Sequence, residues 1–132
     1  MILDLDKRWV LLEHIGDPND SKGFHFDLLL EAQNDCLTWR LNECPLLDGP
    51  GLPIISIPAH KLSWLERRVG RVSGDRGWVY RIIGGQFKGP VPNASADLIQ
   101  VELIQDGQTL VILEIQNKLC KFRSVQSQNL SR

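Results

Sequence analysis

The chain has 132 residues, enough for one domain with a single core, and 42% of them are hydrophobic, which excludes wholesale disorder. The formal net charge of −1 excludes a nucleic-acid-binding polycation, but the charge is unevenly spread. Residues 1–50 carry four basic and ten acidic side chains, whereas residues 51–90 carry seven basic (Lys61, Arg67, Arg68, Arg71, Arg76, Arg81, Lys88) and two acidic (Glu66, Asp75). Such a basic segment can steer a phosphate-bearing ligand to one face. It can equally be a solvated surface.

Strand signals dominate the chain from its start. Arg8–Glu13 and Phe24–Glu31 read as strands, with a loop at Asp17–Gly23 between them. Cys36–Leu41 follows the polar turn Gln33-Asn34-Asp35, which suggests a hairpin. Asp48–Pro53 is a loop rich in glycine and proline, and Pro53–Ile57 reads as an edge strand because of its flanking prolines. His60–Arg67 fits a short helical turn. Trp78–Ile83 reads as a strand that ends in a turn at Gly84-Gly85. Leu98–Ile104 and Thr109–Ile115 flank Asp106-Gly107, a strong hairpin signal. Lys118–Arg123 is the last expected strand, and residues 124–132 read as a frayed tail. Seven or eight short strands at regular spacing imply an all-β domain over residues 1–132, a closed or partly closed β-barrel with one minor helical turn.

Cys36, Cys44 and Cys120 are odd in number and lack CxxC spacing, so neither a disulfide framework nor a cysteine zinc site is expected. The N-terminus lacks the pattern of a signal peptide, and no run approaches the roughly 20 apolar residues of a membrane span. The expected location is therefore cytoplasmic, with no membrane partner.

The chemistry concentrates around Phe24–Glu31. Alternate side chains on a strand share a face, so His25 and Asp27 point one way and Phe24, Phe26, Leu28 and Leu30 point the other, into a core. His14, at the end of the preceding strand, can reach the same spot. Two histidines and a carboxylate are a common ligand set for manganese, iron or zinc, and three protein ligands leave positions open. The alternative is a surface histidine beside a solvated aspartate. Trp9, Trp39 and Trp78 lie in apolar strands and are expected in the core; Trp64 can pack there or stack on a base.

The segments Trp9-Val10-Leu11-Leu12-Glu13-His14, His25-Phe26-Asp27-Leu28-Leu29-Leu30-Glu31, Leu37-Thr38-Trp39 and Ala59-His60-Lys61-Leu62-Ser63-Trp64 resemble the 3′-phosphoesterase module of bacterial DNA ligase D. Val72-Ser73-Gly74-Asp75-Arg76-Gly77 matches a glycine turn of that family more loosely. The resemblance spans about Arg8 to Tyr80, and all three histidines fall on family histidine positions. It implies a stand-alone, divergent member. His14, His25 and Asp27 would bind a divalent metal, manganese by family habit or zinc, and His60 would act catalytically at the scissile phosphate. The implied activity removes 3′-phosphates or 3′-ribonucleotides from DNA or DNA/RNA ends during repair, with a separate ligase or polymerase as partner. The match departs at the phosphate clamp: Leu29, Glu43 and Leu52 stand where the family has basic residues, Pro58 replaces an acid and Trp64 a tyrosine. Arg40 and Arg76 are the expected replacements, because a guanidinium fork suits phosphate. The competing expectation is a non-catalytic metal- or nucleic-acid-binding module that recruits a repair partner.

Overall fold

The structure is a computed structural model that describes residues 7–90, 93 and 96–125; the expected tail lies mostly outside the described residues. Nine antiparallel strands run β1 (Arg8–Ile15), β2 (Phe24–Glu31), β3 (Cys36–Leu41), β4 (Leu52–His60), β5 (Val69–Arg71), β6 (Trp78–Lys88), β7 (Leu98–Gln105), β8 (Gln108–Gln116) and β9 (Leu119–Arg123). The order is β1-β2-β3-β4-β9-β8-β7-β6, and pairing of β6 back onto β1 closes an eight-stranded barrel, with β5 added outside on β6. The expected β-barrel is therefore observed. Its minor helical element is a 3-10 turn at Leu62–Glu66. No described helix is long and apolar enough to cross a membrane.

The apolar runs of β1 and β2 are buried on both faces. Trp9, Leu11, Phe26, Leu28 and Leu30 point into the barrel with Trp39, Phe87, Leu103 and Leu113. Val10, Leu12 and Leu29 point outward into a second cluster with Cys36, Leu65, Val72 and Val79, roofed by the 3-10 turn. An unbroken apolar run needs such a doubly covered strand, because alternation would leave one face wet.

Trp9 and Trp39 are core residues as expected, and the indole of Trp9 donates to the buried carbonyl of Ile104 at 3.2 Å. Trp78 is not: it is 44% exposed, with the Arg71 guanidinium 5.3 Å from its ring centre. It is the first residue of β6, paired with Ile15 of β1 and Arg71 of β5. At β4, Leu52 and Pro53 pair with β9, and beyond them the strand pairs only with β3, so it is an edge only along its later part.

Gly84-Gly85 is not a turn. β6 runs through it, staying paired with β1 from Trp78 to Gln86 while its other edge passes from β5 to β7. A Cβ at Gly85 would collide with the Ile104 carbonyl, and one at Gly84 would lie 2.8 Å from the Trp9 carbonyl. The glycines let the β1 and β7 backbones approach β6 closely. Asp106-Gly107 does form the expected hairpin turn, with φ of 53° and 80°.

Gly85→Ala should therefore destabilise the fold by about 2 kcal/mol or more, read by urea denaturation. Stability within error of the parent would show that β6 and β7 can separate at no cost.

Candidate metal centre

His14 and His25 are direct cross-strand partners at the end of the β1–β2 hairpin, with ring centres 4.6 Å apart at 67°. Asp27 lies two residues further along β2 and pairs with Arg40 on β3. Pairing thus puts all three side chains on the outward face, beyond the apolar cluster of Val10, Leu12 and Leu29. All three are buried, and one ligand atom from each lies within 4.8 Å of the others. This cluster could hold a metal ion.

Two loops orient the imidazoles. His14 Nε2 lies 2.6 Å from the Arg76 carbonyl oxygen, which can only accept, so Nε2 carries the proton and Nδ1 presents its lone pair. The turn that offers this carbonyl is closed by Val72 N–H to Gly77 O at 2.8 Å and by Arg76 Nε to Ser73 O at 2.7 Å. His25 Nδ1 donates to Asp20 Oδ2 at 2.9 Å. Asp20 is itself fixed, its Oδ1 accepting from Lys22 N–H at 3.2 Å and its carbonyl from Gly23 N–H at 3.0 Å. A carboxylate behind a ligating histidine is the usual outer support of a metal site.

The remaining nitrogen, His25 Nε2, is buried without a hydrogen-bond partner and sits 3.4 Å from Asp27 Oδ2. With Nδ1 protonated, neutral His25 aims a lone pair at a carboxylate oxygen. That arrangement is repulsive unless a cation lies between them, either a proton on Nε2 or a metal ion. The donor set and the unpaired nitrogen fit a divalent ion: imidazole nitrogens suit manganese, iron or zinc, and Asp27 supplies charge. Asp27 Oδ1 accepts from Arg40 Nε at 3.1 Å, which leaves Oδ2 facing His25.

The pKa directions follow from this geometry. Burial works against charge on His25, but Asp27 and Asp20 outweigh it and raise its pKa above the ordinary histidine value. Burial opposes the Asp27 carboxylate too, yet His25 and Arg40 hold it below the usual range. His25 also lowers Asp20.

The centre opens into a cavity of about 700 Å³ whose walls include Arg40, His60, Lys61, Trp64, Arg67 and Arg76. Arg40 lies between Asp27 and the cavity. Arg76 also borders the cavity, but its guanidinium is engaged by Ser73, at 2.7 Å and 3.3 Å, and its carbonyl holds His14. His60 lies on the opposite wall, outside the three-ligand cluster, with Nδ1 3.3 Å from the Pro58 carbonyl. Burial lowers its pKa more than the Asp27 charge raises it, so it is neutral at neutral pH. Trp64 is half-buried, edge-on to His60 at 5.2 Å and under the Arg67 guanidinium at 4.4 Å; it packs on the outer cluster and lines the cavity. Leu29 is fully buried in the outer cluster. Burial pushes the free thiols of Cys36 and Cys120 up to about 11 and about 12, which makes them poor nucleophiles.

Sequence reasoning missed Asp20, Lys61 and Arg67. The signal for Asp20 was its place in a hairpin loop five residues before a strand histidine, where the loop can fold back on that strand. Lys61 and Arg67 flank the 3-10 turn, and only the docking of that turn over β1 and β2 reveals where they point. No protein-family model matches this chain, and no curated protein does.

Two predictions follow from the cluster. Manganese at 100 times its dissociation constant should stabilise the fold by about 2.7 kcal/mol, Asp27→Ala should abolish the effect, and Asp20→Asn should weaken metal affinity roughly 10- to 100-fold. Calorimetric titration and thermal melts check both; metal affinity unchanged in Asp20→Asn would remove its supporting role. The second concerns pH. In metal-free protein the raised His25 pKa adds stability below its unfolded value, about 6.5, and this is lost as pH rises through the folded value. The lowered Asp20 and Asp27 pKa values add stability above about 4, lost as pH falls through theirs. Metal needs neutral His25, so the metal-induced rise in melting temperature should be small at pH 5.5 and large at pH 8. An equal rise at both would count against histidine ligation.

Proposed function

We propose that this chain is a metal-dependent phosphoesterase acting on the 3′ ends of nucleic acid, removing a 3′-phosphate or 3′-ribonucleotide in DNA repair, with manganese as its ion. The carrying observation is the buried, unpartnered His25 Nε2 facing Asp27 at the mouth of a cation-lined cavity. Four basic residues, Arg40, Lys61, Arg67 and Arg76, line that cavity against two acids, Asp17 and Asp27. An anionic ligand suits the excess, and the volume falls within the range of small-ligand sites, roughly 300–1,000 Å³. The sequence resemblance points to the same chemistry.

A divalent ion held by His14, His25 and Asp27 would supply a Lewis acid for a phosphoryl oxygen. Arg40 keeps Asp27 ionised and offers its terminal nitrogens to the phosphate, in place of the arginine that the resemblance puts at Leu29. His60, with Nδ1 donating to Pro58, has Nε2 free. An approaching phosphate favours its charged form, which would give the Nε2 proton to the leaving oxygen and regain one from solvent, while the attacking water releases its proton to solvent. Trp64 and Arg67 wall the cavity where the terminal nucleoside would rest.

One observation favours a second reading, a metal- or nucleic-acid-binding module that recruits a separate ligase or polymerase: the family's clamp position is filled by Leu29, buried and unable to touch phosphate.

Turnover separates the two. Incubated with manganese and a duplex whose primer ends in a 3′-phosphate or one 3′-ribonucleotide, the protein should trim the end, and His14→Ala should lose at least about 100-fold in rate. Metal-loaded, folded protein that leaves both ends intact would exclude the phosphoesterase and leave the binding module.

A further inference from the structure

A second basic cleft, of about 420 Å³, lies beside the metal cavity, lined by Arg68, Arg81, Gly84, Gly85 and the turn residues Gln105 and Asp106. Consecutive residues divide the two: Arg67 faces the metal cavity and Arg68 faces the cleft. Residue 67 has extended backbone, with φ −71° and ψ 136°, and extended backbone sends neighbouring side chains to opposite sides.

The arginines are arranged for an anion. The backbone N–H of Arg81 donates to the Arg68 carbonyl at 2.6 Å, which sets the two residues side by side. Arg81 is half-buried, and its Nη1 is anchored to the Leu65 carbonyl at 2.9 Å. A Cβ at Gly84 would lie 2.5 Å from Arg81 Nη2, so the missing side chain is what leaves room for the guanidinium. Neither arginine forms an ion pair among the described residues, whereas Arg8, Arg40 and Arg123 each do. Asp106, the carboxylate in the lining, is within ion-pair distance of neither. Burial and the neighbouring Arg68 both press the Arg81 pKa downward, the mark of a cation without a counter-charge. Arginine nevertheless stays protonated, so an anion placed between the two would relieve the repulsion.

We infer that the Arg68–Arg81 cleft binds a phosphate, and specifically an internal phosphodiester of the strand whose 3′ end enters the metal cavity. This rests on the proposed function for the identity of the strand; the cleft's affinity for phosphate rests on its own residues. It names the substrate class as polynucleotide, since a mononucleotide carries no internal phosphodiester.

The test is fluorescence anisotropy of metal-free protein with a labelled single-stranded 12-mer ending in a 3′-phosphate, across a salt series. The double variant Arg68→Gln with Arg81→Gln should bind about tenfold more weakly, and its slope of log affinity against log salt should shrink by about 1.5. A 3′-phosphorylated mononucleoside should bind both proteins alike. Because Arg81 also anchors the 3-10 turn, Arg68→Gln alone, at an exposed position, is measured beside it and should lose about half of the slope change. Unchanged affinity and slope in both folded variants would overturn the inference. So would inorganic phosphate shifting the Arg81 Nε–H resonance while oligonucleotide binding stays unaffected, since the cleft would then take only a small free anion. Binding that depends on the arginines in protein unable to trim 3′ ends would support the cleft and remove the phosphoesterase.

Discussion

The antiparallel register of β1 and β2 sets Leu11 opposite Leu28 and His14 opposite His25, and the barrel and the metal centre both depend on that single pairing. Strand periodicity is two, so a slip by one residue would turn Leu28 and Leu30 out of the barrel and His25 and Asp27 into it. The apolar half of the hairpin makes that slip expensive. Trp9, Leu11, Phe26, Leu28 and Leu30 fill the interior, while Val10, Leu12 and Leu29 are covered from outside by Leu65, Val72 and Val79. The same apolar residues that build the core therefore fix the ligands to the scaffold rather than to a loop.

Burial gives the polar end of the hairpin its chemical character. Asp27 is removed from water, yet stays ionised because His25 and Arg40 flank it. A proton and a metal ion would compete for the same gap between His25 Nε2 and Asp27 Oδ2. The outer supports, Asp20 behind His25 and the Arg76 carbonyl behind His14, come from two separate loops and settle which nitrogen each ring presents. A histidine pair at a strand end is common enough; two rings each fixed from behind and aimed at a common point with a carboxylate is a more specialised arrangement.

The uneven charge along the chain acquires a spatial meaning in the fold. Lys61, Arg67, Arg68, Arg76 and Arg81 are spread over sequence but gather around the 3-10 turn and the ends of β5 and β6. Arg71, from the same basic segment, instead lies over exposed Trp78. Two adjoining anion-friendly hollows result, one containing the candidate ligands and one containing two arginines without acidic partners.

By itself, the sequence determined the β-barrel class, most strand positions, the hairpin at Asp106-Gly107 and the sharing of a face by His25 and Asp27, because alternation and turn chemistry are local properties read over a few residues. It also marked His14, His60 and Arg40 as candidates, and the fold gathers these around one cavity. Tertiary structure alone decided the rest. Gly84-Gly85 looked like a turn, but lies within β6, where only the approach of the Trp9 and Ile104 carbonyls explains the two glycines. Trp78 sits in an apolar strand and is exposed all the same, at the start of β6 with the Arg71 guanidinium over its ring. Asp20 and the Arg76 carbonyl became supports of the histidines through loop folding. Such contacts depend on where distant backbone comes to rest, and strand periodicity carries no record of that.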